Sequence, residues 1–239
     1  MRNFKAVVSI MMLLIITSSC TLPQKREIIE KSYPIQSFSS VEADIVGNII
    51  YTQSSKTSVR VEGDKNLVDR LLVAADNEVL KLYYEKKQKN IGKKKLTMTI
   101  YITSPAIEKI NMDGVGNFVL EGLIAAENLT IDFEGVGNFK AMQLQSNSID
   151  ASYKGVGNLE LGGTTDFLKL SSKGVGNIDT QKLEAKNAIV RAEGVGSVKC
   201  YASESIDLNN RGVGGITYYG NPVVTNLNKS DIGKIKAGK

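Results

Sequence analysis

Asp113, Asp132 and Glu134 are the residues whose types come nearest to a catalytic set in this chain. Two facing carboxylates can split a glycosidic bond, one as acid and the other as base or nucleophile. Asp113 and Glu134, as a like-charged pair, can also hold a cation. Neither chemistry is completed by what surrounds them. No Arg or aromatic neighbour finishes a glycosidase site, and the recurring Gly-Gly-x-Gly-x-Asp of calcium-binding β-rolls is missing. The 239-residue chain contains no His, which removes the commonest general base and transition-metal ligand. It contains no Trp either, which leaves Tyr201, Tyr218 and Tyr219 as candidates for stacking on a sugar ring. No catalytic residue, metal ligand or cofactor is assigned.

Those residues sit on a repeat. Gly114-Val115-Gly116-Asn117 recurs at Gly135-Val136-Gly137-Asn138, Gly155-Val156-Gly157-Asn158 and Gly174-Val175-Gly176-Asn177. Variants follow at Gly194-Val195-Gly196-Ser197 and Gly212-Val213-Gly214-Gly215. The first glycines are 21, 20, 19, 20 and 18 residues apart. A near-fixed period of that length marks a solenoid, in which one coil alone cannot bury its apolar face. Isolated GxG glycines can cradle a dinucleotide, but these recur without any βαβ unit, so that reading fails.

Counted from the first glycine, position −2 holds Met112, Phe133, Tyr153, Ser172, Ala192 and Asn210. Position −4 holds Ile110, Ile131, Ala151, Leu170, Val190 and Leu208, whereas the −3 residues between them are all polar. Phe118, Phe139, Leu159, Ile178, Val198 and Ile216 open a second alternating run after the motif. A period of two means strands with one face buried. Like then stacks on like, one coil apart. Cys200 falls in an inward column and is expected to be buried and inert. The glycines suit a corner where φ is positive or the backbone crowded. Val115 and its equivalents are expected to fill that corner from inside. Asn48, Asn117, Asn138, Asn158 and Asn177 are expected to form an internal amide ladder; the competing reading is a ligand-binding edge. The −1 residues, Asp113, Glu134, Lys154, Lys173, Glu193 and Arg211, read as solvated surface.

The start of the chain reads differently. Arg2 and Lys5 precede an apolar run from Ala6 to Ile16, too short to span a bilayer, and Thr17-Ser18-Ser19 leads into Cys20. This resembles a bacterial lipoprotein signal peptide over residues 1–19, with Cys20 the lipidated residue. Loss of that peptide leaves 28 Lys and Arg against 25 Asp and Glu, a net of +3. The lysines from Lys86 to Lys95 read as a solvated loop, and nucleic acid is not expected as a partner. Residues 20–32 read as a polar tether. Residues 33–105 read as a β-rich part, with one helical turn beginning near Asp64 and a worn early unit at Ile45-Val46-Gly47-Asn48-Ile49. Residues 106–239 form the GVGN solenoid.

The opening SFSSVEADIVGNIIY, the iterated GVGN and the ending YYGNPVVTNL…DIGKIK resemble the head GIN domain family of auto-transporter adhesins, over about residues 35–236. The resemblance implies an all-β fold whose second half is a right-handed single-stranded parallel β-helix. It implies an exported protein of a Gram-negative bacterium and brings no catalytic residues. Ser197 and Gly215 depart from the Asn column.

The expectation is an outer-membrane lipoprotein, adhesin-like, that binds and does not catalyse. Its partners would be the membrane, through the lipid, and a protein or glycan ligand, with self-association between copies left open. The alternatives are a carbohydrate-active β-helix enzyme and a structural or envelope-stress interaction module.

Overall fold

The computed structural model describes residues 27–85, 97–230 and 232–239. The expected leader and Cys20, the whole lysine-rich run from Lys86 to Lys95, and Asp231 lie outside them. Among the described residues the strands join one 17-stranded sheet, coiled into a β-solenoid of about six turns.

Each full coil has two walls meeting at the GVG corner. The first repeat coil consists of β8 (Lys109–Val115) and β9 (Phe118–Glu121). Next come β10 (Ile124–Val136), β11 (Phe139–Val156), β12 (Leu159–Ser172), β13 (Ile178–Ala192) and β14 (Val195–Asn210). Consecutive strands pair in parallel with the motif in register: Gly135 lies beside Gly155, and Phe139 beside Leu159. β15 (Val213–Tyr219), β16 (Val223–Lys229) and β17 (Lys234–Ala237) close the C-terminal end.

The N-terminal part is the first coil and its cap, continuous with the repeats. β2 (Ser40–Val46) pairs with β8, and β3 (Asn48–Gln53) with β9, so Val46 lies beside Val115. β6 (Val79–Tyr84) and β7 (Met98–Ser104) add one further parallel strand to each wall. Antiparallel strands then end the stack: β5 (Leu71–Asp76) on β6, β4 (Ser58–Asp64) on β7. β1 (Ile28–Tyr33) pairs with β4. β1 corrects the expectation of a tether reaching residue 32. Its alternation is hard to see because it carries only Ile29 and Tyr33 against the core as partly buried side chains. The helical turn is confined to α1 (Lys65–Val68), and Leu71 and Leu72 begin β5. Asp64 does not cap α1 with its side chain; its carboxylate instead accepts the Thr97 N–H at 2.6 Å.

The core is a column of stacked coils. Phe133 and Tyr153 stack with centroids 5.2 Å apart, and Phe118 and Phe139 at 5.4 Å. The buried Tyr153 hydroxyl donates to Gly137 O at 2.8 Å, so the −2 column admits a phenol without an unpaired polar atom. Asn210 ends that column. Its amide donates to the Gly214 and Lys234 carbonyls and its oxygen accepts the Gly212 N–H. Cys200 is fully buried, and burial pushes its thiol up to about 12.

The corner differs from expectation. Val115, Val136, Val156, Val175, Val195 and Val213 point outward, each 47% to 53% exposed. Parity explains this. The −2 and +4 residues face inward, so +1 must face solvent, and the inward positions 0 and +2 are the glycines. At Gly157, φ is +140° and an added Cβ would overlap the carbonyl oxygen of Gly137 on the coil before. The corner is closed by backbone against backbone, with no room for a plug.

Candidate functional site

The carboxylates come first. Asp113 and Glu134 occupy equivalent positions on adjacent rungs, and Asp44 precedes Asp113 on the rung before. Asp132 and Glu134 border a shallow hollow of about 210 Å³ with Asn111, Ser152 and Lys154. Asp113 borders another of about 540 Å³ with Glu42, Asp44, Lys81 and Tyr83. Among the described residues, no three His, Cys, Asp or Glu side chains come close enough to hold a metal ion. Of the pairs that the −1 column offers, Lys173 and Glu193 form an ion pair, at 3.1 Å.

The asparagines do form a ladder, but on the surface. Asn117 Nδ2 donates to Asn48 Oδ1 at 3.1 Å, Asn138 Nδ2 to Asn117 Oδ1 at 2.8 Å, and Asn158 Nδ2 to Asn138 Oδ1 at 3.0 Å. Each Oδ1 also accepts the backbone N–H of the next rung, as Asn48 does from Asn117 and Asn117 from Asn138. Asn138, Asn158 and Asn177 are exposed. This corrects the expectation of an internal ladder: +3 shares the outward parity of the valine. Ser197 continues the ladder through its hydroxyl, which donates to Asn177 Oδ1 at 2.7 Å.

A third place was marked in the sequence only by Tyr201. The coil lengths differ, and the slack falls after the +6 residue. Thr180 pairs with Cys200 and Ala185 with Ala202, so Gln181 to Glu184 on β13 stand opposite Tyr201 alone on β14. Smaller shifts fall between Ala141 and Leu144 on β11 and between Glu160 and Gly162 on β12. Where long and short coils abut, the wall is stepped. A groove of about 450 Å³ lies beside the step, along rows in which Gln145, Thr164 and Glu184 stand in register. Its walls include Gln145, Asn147, Thr164, Asp166, Glu184 and Tyr201.

The groove holds two kinds of polar group. Ser146 and Thr165 point their hydroxyls at turn carbonyls, Ser146 to Glu127 O and Ser148 O, Thr165 to Asn147 O and Phe167 O. These two fix the shape of the step. Gln145, Asn147, Thr164 and Glu184 are exposed, and their side chains hydrogen-bond to none of the described residues. They offer two amides, a hydroxyl and a carboxylate to whatever enters. Asp166 is ion-paired with Lys186 at 2.7 Å. The Tyr201 ring packs against Gly220, where an added Cβ would come 2.9 Å from Cε2, and this holds the ring as one wall.

Comparison with known proteins comes down to this fold. The family described as "Putative auto-transporter adhesin, head GIN domain" matches residues 37–222. A crystal structure of a putative adhesin from Bacteroides fragilis is 37% identical, with a TM-score of 0.82, over 89% of this chain and 97% of that one. A putative lipid binding protein from Parabacteroides distasonis is 20% identical with a TM-score of 0.67, covering 89% and 97%. A putative adhesin from Parabacteroides merdae is 16% identical with a TM-score of 0.57 over the same shares. These two share the fold. No curated protein matches. With the family's sequence pattern covering most of the chain and a 37%-identical solved relative matching its coils, the chain belongs to the head GIN domain family of putative auto-transporter adhesins.

Proposed function

We propose that this protein is an exported, lipid-anchored binding protein of the bacterial envelope that seats a glycan in the stepped groove and does not cleave it. The observation that carries the reading is the groove itself: unpartnered amides, a hydroxyl, a carboxylate and a tyrosine wall gathered on one face. That mixture suits a polyhydroxylated ligand, which needs donors and acceptors together and an aromatic ring for its C–H faces. The adhesin names of the family and of the Bacteroides fragilis relative agree with a binding role.

The enzyme alternative has less to stand on. A glycosidase keeps one carboxyl protonated by apolar burial while its partner stays ionised. Asp166 and Glu184 are both exposed, and Asp166 is matched with Lys186. Asp132 and Glu134 lie elsewhere, beside Asn111, Ser152 and Lys154, and Asp113 borders a separate hollow with Glu42, Asp44 and Lys81. Anchoring rests on the leader ending at Cys20.

The test is a panel of envelope and host glycans probed with the mature chain. Tyr201→Ala should weaken the best binder about tenfold, the worth of one aromatic contact. No binding across the panel, or binding indifferent to both Tyr201→Ala and Glu184→Gln, would remove the groove from the account.

A further inference from the structure

The outward valines form a ridge that the groove reading does not use. Val115, Val136, Val156, Val175, Val195 and Val213 are each about half exposed and stand on successive rungs. At about 4.8 Å per rung the ridge runs about 24 Å. Each valine lies between two glycines, so no side chain beside it on the corner screens it from solvent. A continuous apolar line of this kind is uncommon on a surface that meets only water.

The flank of the ridge says what covers it. The −1 residues run Asp113, Glu134, Lys154, Lys173: two acids, then two bases. That order is its own complement when reversed. Glu134 and Lys154 form no ion pair with any described residue, whereas Lys173 reaches Glu193 at 3.1 Å. The opposite flank is the neutral asparagine ladder, which sets no charge register.

We propose that the ridge is the interface between two copies of this chain, packed ridge on ridge and antiparallel about a two-fold axis between the Val136 and Val156 rungs. Glu134 then faces the second copy's Lys154, and Asp113 faces its Lys173. Such an interface is isologous: every contact occurs twice. A parallel arrangement would set the charged column against the asparagines and leave the charges unmatched. The next rung outward sets Asp44 against Glu193, which are alike, so the contact is centred on the four coils from Val115 to Val175. The matched charges fix register, and the valines supply the buried apolar surface.

Sedimentation velocity on the mature chain, residues 20–239, decides it; that span contains every strand of the fold. The wild type is expected to run as a dimer. Glu134→Lys alone and Lys154→Glu alone should each run as monomers, because each makes two like-charged contacts across the axis. The double variant should dimerise again. Mixing the two single variants should also restore a dimer, since each then supplies the charges the other lacks. Val156→Lys should be monomeric throughout. A wild type that is monomeric at every concentration reached overturns the proposal. So do single variants or Val156→Lys that dimerise like the wild type, or a mixture that stays monomeric.

Discussion

Val156 and Gly157 are neighbours in sequence with opposite tolerances. Val156 is 53% exposed, so Val156→Asp should lower stability by less than about 1 kcal/mol at dilution. Gly157→Val meets both a positive φ and the Gly137 carbonyl, and should cost several-fold more by chemical denaturation, or prevent folding. The motif string alone does not separate the two positions. The parity of the columns on either side already held the answer, because the +1 residue lies an odd number of steps from the inward −2 and +4 residues. A second residue-scale outcome concerns alkali. Burial pushes Tyr153 up to about 12 and Cys200 up to about 12, from ordinary values of 10.0 and 9.0. Their protonated forms are the folded ones, so their contribution is whole below the ordinary value and is lost as pH rises toward 12. Stability should therefore fall from about pH 9 for the thiol and about pH 10 for the phenol, each by at most about 1.4 kcal/mol per pH unit. Denaturation midpoints between pH 9 and 12 would show it, and Tyr153→Phe should flatten the upper part. Cys200 should resist alkylation until the chain is unfolded.

At the scale of the coil, the interior was legible because strand periodicity and coil periodicity coincide. The −2, −4 and +4 columns could be written down from spacing, and Phe133 on Tyr153 and Phe118 by Phe139 are those columns in space. What spacing did not reveal was the step. The coils differ by only one to three residues, and nothing in composition says on which wall the surplus falls; only the pairing of Thr180 with Cys200 and of Ala185 with Ala202 locates it. β1 was missed for a related reason, since an edge strand with one covered face carries too few apolar residues to show a period. Tyr153→Ala tests whether coils support each other. It removes a ring stacked on Phe133 and a hydroxyl bonded to Gly137, and should cost about 3–5 kcal/mol. Because solenoid stability is a sum of coil and nearest-neighbour terms, amide exchange should quicken in β10 and β12 as well as β11, and least in β2. Protection lost in β11 alone would mean that the coils do not couple as the stack implies.

Over the described residues the molecule is a stack capped at its N-terminal end, with a ridge along one corner and a stepped groove on one wall. The antiparallel strands β5, β4 and β1 cover the N-terminal end, and β16 and β17 are the last strands at the other. The antiparallel cap keeps that end of the parallel stack from extending into other molecules through its open rungs. The proposed lipid anchor makes a separate prediction: Cys20→Ala should abolish labelling by a fatty-acid probe, and equal labelling of the variant would remove the anchor. Little of the proposed binding role could be seen in the sequence beyond Tyr201, because Gln145 and Asn147 on β11, Thr164 on β12 and Glu184 on β13 are ordinary surface residues of three successive coils. Gln145, Thr164 and Glu184 are register partners on β11, β12 and β13, and the step between β13 and β14 sets only Tyr201 beside them. The most direct measurement takes the best-binding glycan of the panel, titrates it into the mature chain, and analyses the recovered glycan by mass spectrometry. The account predicts saturable binding weakened about tenfold by Tyr201→Ala, with the glycan recovered intact. A shortened glycan whose appearance is abolished by Glu184→Gln or Asp166→Asn would contradict it.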